Sequence, residues 1–228
     1  MVIDFHIHSK YSFDCFLEPA DIVKLARTMR LDGLAITDHD TMAGVDEFRR
    51  LATEGSPRGT PDIYIIAGQE ITTKDGDILG LFLKTEIKGN LSTQDVILEI
   101  RQQGGLAVLA HPFKWPHLLR SPELLRQFDA IEVFNARNNI PSPYLENHLA
   151  KKAVCDMGLA CIAGSDTHEG FELGNARTVF DFSFPEATDE MIKKAILERH
   201  AGIEGREVSL PLEVKSHFSR MFKSYFKR

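Results

Sequence analysis

Five short stretches of the chain set a histidine or an acid directly behind an apolar run. Val2-Ile3-Asp4-Phe5 leads into His6-Ile7-His8, with Asp14 shortly after. Ile36-Thr37 leads into Asp38-His39-Asp40, Ala67-Gly68-Gln69 into Glu70, Leu109-Ala110 into His111-Pro112, and Ile162-Ala163-Gly164-Ser165 into Asp166-Thr167-His168. In a strand, residues two apart point to one face, so His6 and His8 can converge on a single point. Imidazole and carboxylate oxygen suit Zn, Mn or Fe, and no cysteine pattern beside them suggests a thiolate site. Several carboxylates also allow one to bridge two ions. Ions about 3.5–4 Å apart lower the pKa of a shared water and stabilise a phosphoryl oxygen, so no serine or cysteine nucleophile is required. Each stretch alone has a plainer explanation: His39 as a loop histidine, Glu70 as a surface acid, Asp166 as a helix cap. Their recurrence at the ends of apolar runs points to one shared site.

Those residues need strands to hold them. Val2 to His6, Gly33 to Thr37, Ile63 to Ala67, Ile78 to Leu83, Leu106 to Ala110, Ala130 to Phe134 and Leu159 to Ala163 read as seven strands. Between most of them lie helical patterns at Pro19 to Arg30, Met42 to Glu54, Thr93 to Gln103 and Pro143 to Met157. Pro19 suits a first helical turn, Ser92 an N-cap, and Gly104 and Gly158 the positions where helices stop. This alternation predicts an α/β fold with a parallel sheet, and the polar residues gathered at strand ends favour a barrel.

The 228 residues suffice for one domain with a substantial core. A charged fraction of 26% and a net charge of -6 argue against a protein that grips long duplex nucleic acid through a basic face. A small phosphorylated substrate remains compatible, because bound cations invert the local charge. Three cysteines without paired short spacing, together with the absence of a signal pattern, predict a reducing, cytoplasmic location. No apolar run is long enough to span a bilayer. Gly202 to Glu207 reads as a boundary, giving a barrel over residues 1–205 and a tail over 206–228. In the tail Phe218, Met221, Phe222, Tyr225 and Phe226 recur at helical spacing among basic residues, which predicts an amphipathic helix docked on the barrel.

Taken in order, Asp4-Phe5-His6-Ile7-His8-Ser9, Thr37-Asp38-His39-Asp40, Gly68-Gln69-Glu70-Ile71-Thr72, Ala110-His111-Pro112 and Gly164-Ser165-Asp166-Thr167-His168 resemble the polymerase and histidinol phosphatase (PHP) family. The resemblance covers most of the first 180 residues. It implies a distorted seven-stranded (β/α)7 TIM-like barrel with two or three divalent ions (Mn, Zn or Fe) at the C-terminal ends of the strands. It also implies phosphoester hydrolysis by a metal-bound hydroxide. Carried over by position, His6, His8, Glu70 and Asp166 hold one ion, and Asp14, His39 and His168 a second. Glu70 and His111 face a third. His39, Asp166 and His168 take the catalytic roles. Many members carry a histidine where this chain has Asp77, before Ile78-Leu79-Gly80, so the third ion is either held by a shorter ligand or missing. Lys114 and Arg137 follow strand ends and are the expected cations for a substrate phosphate, with Asn135 beside them. Asp38 or Asp40 can orient an imidazole or simply form a turn. The expected substrates are phosphate mono- or diesters of nucleotides or short oligonucleotides. The alternatives are a small metabolite such as histidinol phosphate, metal-dependent amide hydrolysis, or a non-catalytic metal-binding module.

Overall fold

A computed structural model describes residues 1–54, 56, 59–115, 121–137, 154, 156–184 and 186–206. The elements in chain order are β1 (Val2–Ile7), α1 (Pro19–Met29), β2 (Gly33–Ile36), α2 (Val45–Thr53), β3 (Tyr64–Thr72), β4 (Asp77–Leu81), α3 (Thr93–Gln102) and β5 (Leu106–Leu109). A 3-10 turn (Pro112–Lys114), α4 (Pro122–Leu125), β6 (Ala130–Asn135), β7 (Cys161–Gly164), β8 (Ala176–Val179), α5 (Asp189–Leu197) and β9 (Gly202–Gly205) complete them. Most of the helix expected at Pro143 to Met157 and the tail beyond Arg206 lie outside the described residues.

Local chemistry accounts for the helices. Pro19 occupies the first turn of α1, where its missing N–H costs nothing, and Arg30 closes the helix at φ 58. Pro19, Ile22, Val23 and Ala26 form the buried stripe of α1, and Thr93, Val96, Ile97 and Ile100 that of α3. Ser92 caps α3 by accepting the Asp95 N–H, and Thr188 caps α5 by accepting the Met191 N–H.

The strands form one sheet in the order β7-β6-β5-β4-β3-β2-β1-β8-β9. Among the described residues the expected seven strands are nine, and the expected parallel sheet is mixed. β1, β2 and β3 run parallel, as do β5, β6 and β7, but β4 is antiparallel to both its neighbours, and β8 and β9 add antiparallel pairings beyond β1. The cause at β4 is a tight turn. Thr73 N–H donates to the Gly76 carbonyl at 3.0 Å, and the Gly76 N–H donates to Thr73 Oγ1 at 3.1 Å, so the chain reverses without the room a parallel crossover needs.

The sheet nearly closes on itself. Asp166 N–H donates to the His6 carbonyl at 2.8 Å and His8 N–H to the Thr167 carbonyl at 3.0 Å, which brings the end of β7 against β1. This approach requires Gly164: a Cβ there would lie 2.3 Å from the His6 Cβ. One buried cluster is fed by all of β1 to β7, through residues such as Phe5, Ala35, Ile66, Leu79, Val108, Ala130 and Ile162, and is joined by Ile192 and Ile196 of α5. Two further clusters seat α1 and α2 against Leu34, Ile36 and Ile63, and α3 against Ile78, Leu109 and Ile131. Each fully buried Ile, Leu or Phe contributes roughly 1.5–3 kcal/mol. No helix among the described residues is long and apolar enough to cross a membrane.

Candidate metal centre

Every residue expected to ligate a metal arrives at one rim of this sheet. His6 sits near the end of β1 and His8 just past it, and their Nε2 atoms face each other at 3.1 Å. His39 follows β2, and Glu70 lies inside β3, which runs on to Thr72. His111 follows β5, and Asp166 and His168 follow β7. Asp77 reaches the same rim from the other end of a strand. It opens β4, and because β4 is antiparallel and Asp77 pairs with Thr72, its start reaches the rim where the parallel strands end.

Glu70 is the hub. Its carboxylate lies 3.2 Å from His6 Nε2, 3.1 Å from His8 Nε2, 3.2 Å from His39 Nδ1 and 2.8 Å from His111 Nε2. Asp14 Oδ2 lies 2.9 Å from His168 Nε2 and 3.7 Å from His39 Nε2, and Asp77 Oδ2 lies 3.9 Å from His111 Nε2. Four overlapping groups result, each with donor atoms within 4.8 Å of one another: His8, Asp14, His39 and His168; His6, His8 and Glu70; His6, His111 and Asp166; and Glu70, Asp77 and His111. The arrangement fits divalent cations. The donors are nitrogen and oxygen only, and buried Asp14 Oδ1, His39 Nδ1 and His111 Nδ1 find no hydrogen-bond partner. His39 Nδ1 is close to Glu70, but the pair lacks hydrogen-bond geometry. His111 and Asp166 also adopt positive φ, 28 and 56, a backbone cost met at two of the rim positions.

The electrostatics have the same origin. Burial alone would lower the pKa of His6, but Glu132, Glu70 and Asp166 hold it well above the ordinary value. For Glu70 and Asp166 burial opposes ionisation, yet the surrounding imidazoles and, for Asp166, Lys114 and Arg137 hold both well below the carboxylate range. His168 is pushed down to about 3 by burial and by Arg137, and Asp77 up to about 6 by burial and by Glu70. His8 resists the lowering effect of burial and rises from 6.5 to about 9 through Asp166 and Glu70. A raised histidine pKa stabilises the metal-free fold below about 6.5, and that contribution is lost as pH climbs through 9. The same climb removes the proton with which a metal competes. We expect denaturant midpoints of the chelated protein to fall, and metal affinity to rise, between pH 6.5 and 9. Pairs that are flat or move together would contradict this account of His8.

Several supporting residues were not singled out from sequence. Glu132, fully buried in β6, accepts from His6 Nδ1 at 3.0 Å, from the His111 N–H at 2.8 Å and from Asn135 Nδ2 at 3.0 Å. It thereby leaves His6 Nε2 free to face the cluster. The available signal was an acid inside an otherwise apolar strand, Ala130-Ile131-Glu132-Val133. Asp4 accepts the Ser165 and Gly174 N–H groups at 2.9 Å each and ties β1 to the chain after β7. Asp38 orients an imidazole indirectly: Ser12 Oγ donates to Asp38 at 2.9 Å and lies 3.0 Å from His8 Nδ1. Asp40 instead accepts the Thr72 N–H at 2.9 Å and ties the loop after β2 to the end of β3. Glu132→Ala should weaken metal binding by about 10–100-fold, the usual effect of losing a carboxylate that orients a ligating histidine. Metal titration of the chelated variant checks this, with His6 as the affected ligand.

The two expected phosphate cations sit differently. Lys114 is 42% exposed, with Nζ 3.6 Å from Asp166 Oδ2. Arg137 is buried beneath the rim, 3.7 Å from Asp166 Oδ1 and 3.2 Å from Glu172 Oε1.

The PHP domain profile matches residues 4–221. The uncharacterized protein MJ1587 of Methanocaldococcus jannaschii is 34% identical over 172 residues, covering 68% of this chain and 97% of its own. A second uncharacterized protein of that organism, MJ0417, is 29% identical over 86% of this chain and 78% of its own. Among solved structures, PsfC from Pseudomonas syringae aligns with TM-score 0.69 at 21% identity, over 97% of this chain and 98% of its own. A two-domain protein of Bacteroides vulgatus, described as containing a predicted PHP-like metal-dependent phosphoesterase, aligns with TM-score 0.67 at 21% identity, over 96% of this chain and 69% of its own. The structural likenesses speak for the fold, while the profile match establishes the family: the chain belongs to the PHP domain family.

Proposed function

We propose that this protein is a metal-dependent phosphoesterase that hydrolyses phosphate mono- or diesters of nucleotides or short oligonucleotides. The supporting observation is the convergence of nine nitrogen and oxygen ligands, from His6 to His168, on one rim with an exposed lysine at its edge. In this reading His6, His8, Glu70 and Asp166 hold one ion, Asp14, His39 and His168 a second, and Glu70, His111 and Asp77 face a third. Bound Mn, Zn or Fe supplies Lewis acidity, activating water and neutralising charge on the phosphoryl group. Lys114 attracts the phosphate as an accessible point charge. Arg137 acts from below, holding Asp166 and Glu172 in place, and Asn135 links Glu132 to Asp166. Glu132 and Ser12 fix the imidazoles of His6 and His8. His39, Asp166 and His168 carry the catalytic roles closest to substrate. Residues 1–205 form the catalytic barrel and residues 206–228 a separate tail, in a cytoplasmic protein.

The test is a panel of nucleotides, short oligonucleotides, histidinol phosphate and an amide substrate, offered to chelated protein reconstituted with Mn, Zn or Fe. Chelation should abolish hydrolysis of the phosphate esters and reconstitution restore it. Protein that stays metal-free after reconstitution, or that cleaves only the amide, overturns the reading.

A further inference from the structure

Phe13 is exposed by 56% although it lies at the mouth of the metal centre, between two residues that belong to it. Ser12 Oγ contacts His8 Nδ1 at 3.0 Å, and Asp14 Oδ2 lies 2.9 Å from His168 Nε2. Both are buried, so the backbone of Phe13 is anchored on either side and presents its ring beside the cluster rather than on a loose loop. The ring sits 5.0 Å from the His39 ring with 30° between their planes, leaving much of its surface open. His39 is itself partly open, at 15% side-chain exposure, while His6, His8 and Glu70 are sealed.

The cationic wall borders the same cluster. His8 connects the two sides: its ring is 4.5 Å from that of His39, and its Nε2 is 3.4 Å from Asp166 Oδ1, while Lys114 lies 3.6 Å from the other oxygen of that carboxylate. A ligand entering here meets an accessible ammonium, the metal-ligand cluster and an uncovered aromatic face. A phosphate alone uses only the first two.

We propose that Phe13 is a specificity-determining residue that stacks on a flat ring carried by the substrate, so that the site selects phosphate esters of nucleosides or of phenolic groups over aliphatic ones. This rests on the phosphoesterase reading and narrows it. An aromatic platform tolerates any base, because every base offers a π-face. A residue whose backbone is already anchored also loses less conformational freedom on binding.

The experiment uses the full chain loaded with Mn. It measures kcat/KM for adenosine monophosphate, phenyl phosphate and glycerol 3-phosphate in wild type, Phe13→Ala and Phe13→Trp. Wild type should prefer at least one ring-bearing ester to glycerol 3-phosphate. In Phe13→Ala that preference should fall by about tenfold or more, mainly through KM, and Phe13→Trp should retain it. Which ester loses its advantage separates a nucleobase from a phenolic ring. No preference in wild type, or one unchanged in Phe13→Ala, overturns the proposal. Should wild type hydrolyse none of the three, the phosphoesterase reading fails for these substrates. The stacking claim is then decided by calorimetric binding of adenosine monophosphate to the Mn-loaded protein: weaker binding to Phe13→Ala upholds it, and equal binding overturns it.

Discussion

His39→Ala lowers kcat by about 10²–10³-fold and leaves the fold intact. The magnitude follows from losing one ligand to an ion that contributes several kcal/mol to transition-state stabilisation, at 1.36 kcal/mol per decade of rate. Retention of the fold follows from position. His39 has 15% side-chain exposure at the cluster's mouth, and its Nδ1 has no hydrogen-bond partner, so truncation opens space to solvent and does not hollow the core. Near-wild-type turnover in a variant with an unchanged circular dichroism spectrum and melting midpoint would remove His39 from the ligand set.

Glu70→Gln has a broader effect, with bound metal falling to about one equivalent and activity lost to the detection limit. The substitution keeps size and shape but removes the charge that four imidazoles, those of His6, His8, His39 and His111, approach within 3.2 Å. The neutral amide is a poor bridging ligand, and its NH2 group directs hydrogens at nitrogens that face an ion. Metal analysis after dialysis against Mn, alongside the activity assay, decides the matter. More than one retained equivalent would show that the histidines suffice without the bridge.

The rim was largely legible because its chemistry is written locally. A histidine or acid after an apolar run marks a strand end, and His6, His8, His39, His111, Asp166 and His168 all lie where that pattern placed them. Glu70 falls inside its strand because the pairing of β3 with β4 extends both beyond the apolar run. The direction of β4 was not legible: Ile78-Leu79-Gly80-Leu81 reads alike either way, and the reversal depends on Thr73 and Gly76 hydrogen bonds. β8 and β9 escaped because Ala-Arg-Thr-Val alternates over only four residues and Gly-Ile-Glu-Gly is mostly exposed. The Thr188 cap of α5 offered a readable start that was not used. Glu132 and the partners of Arg137 depend on contacts between residues distant in sequence. Glu132 reaches His6 across a separation of 126 positions, which no local pattern encodes.

The seam where β7 returns to β1 also sets a timetable for synthesis. Ser165 bonds to Asp4 across a sequence separation of 161, so His6 and His8 meet Asp166 only after it has left the ribosome. At about 5–20 residues per second that interval is roughly ten seconds or more. Throughout it His6 and His8 are exposed on an unfinished chain, able to capture ions in partial, mismatched coordination. Contacts of such long range also form slowly. A nascent chain released before Asp166 would lack both Asp166 and His168, so the cluster at the rim is complete only once the chain beyond β7 has emerged.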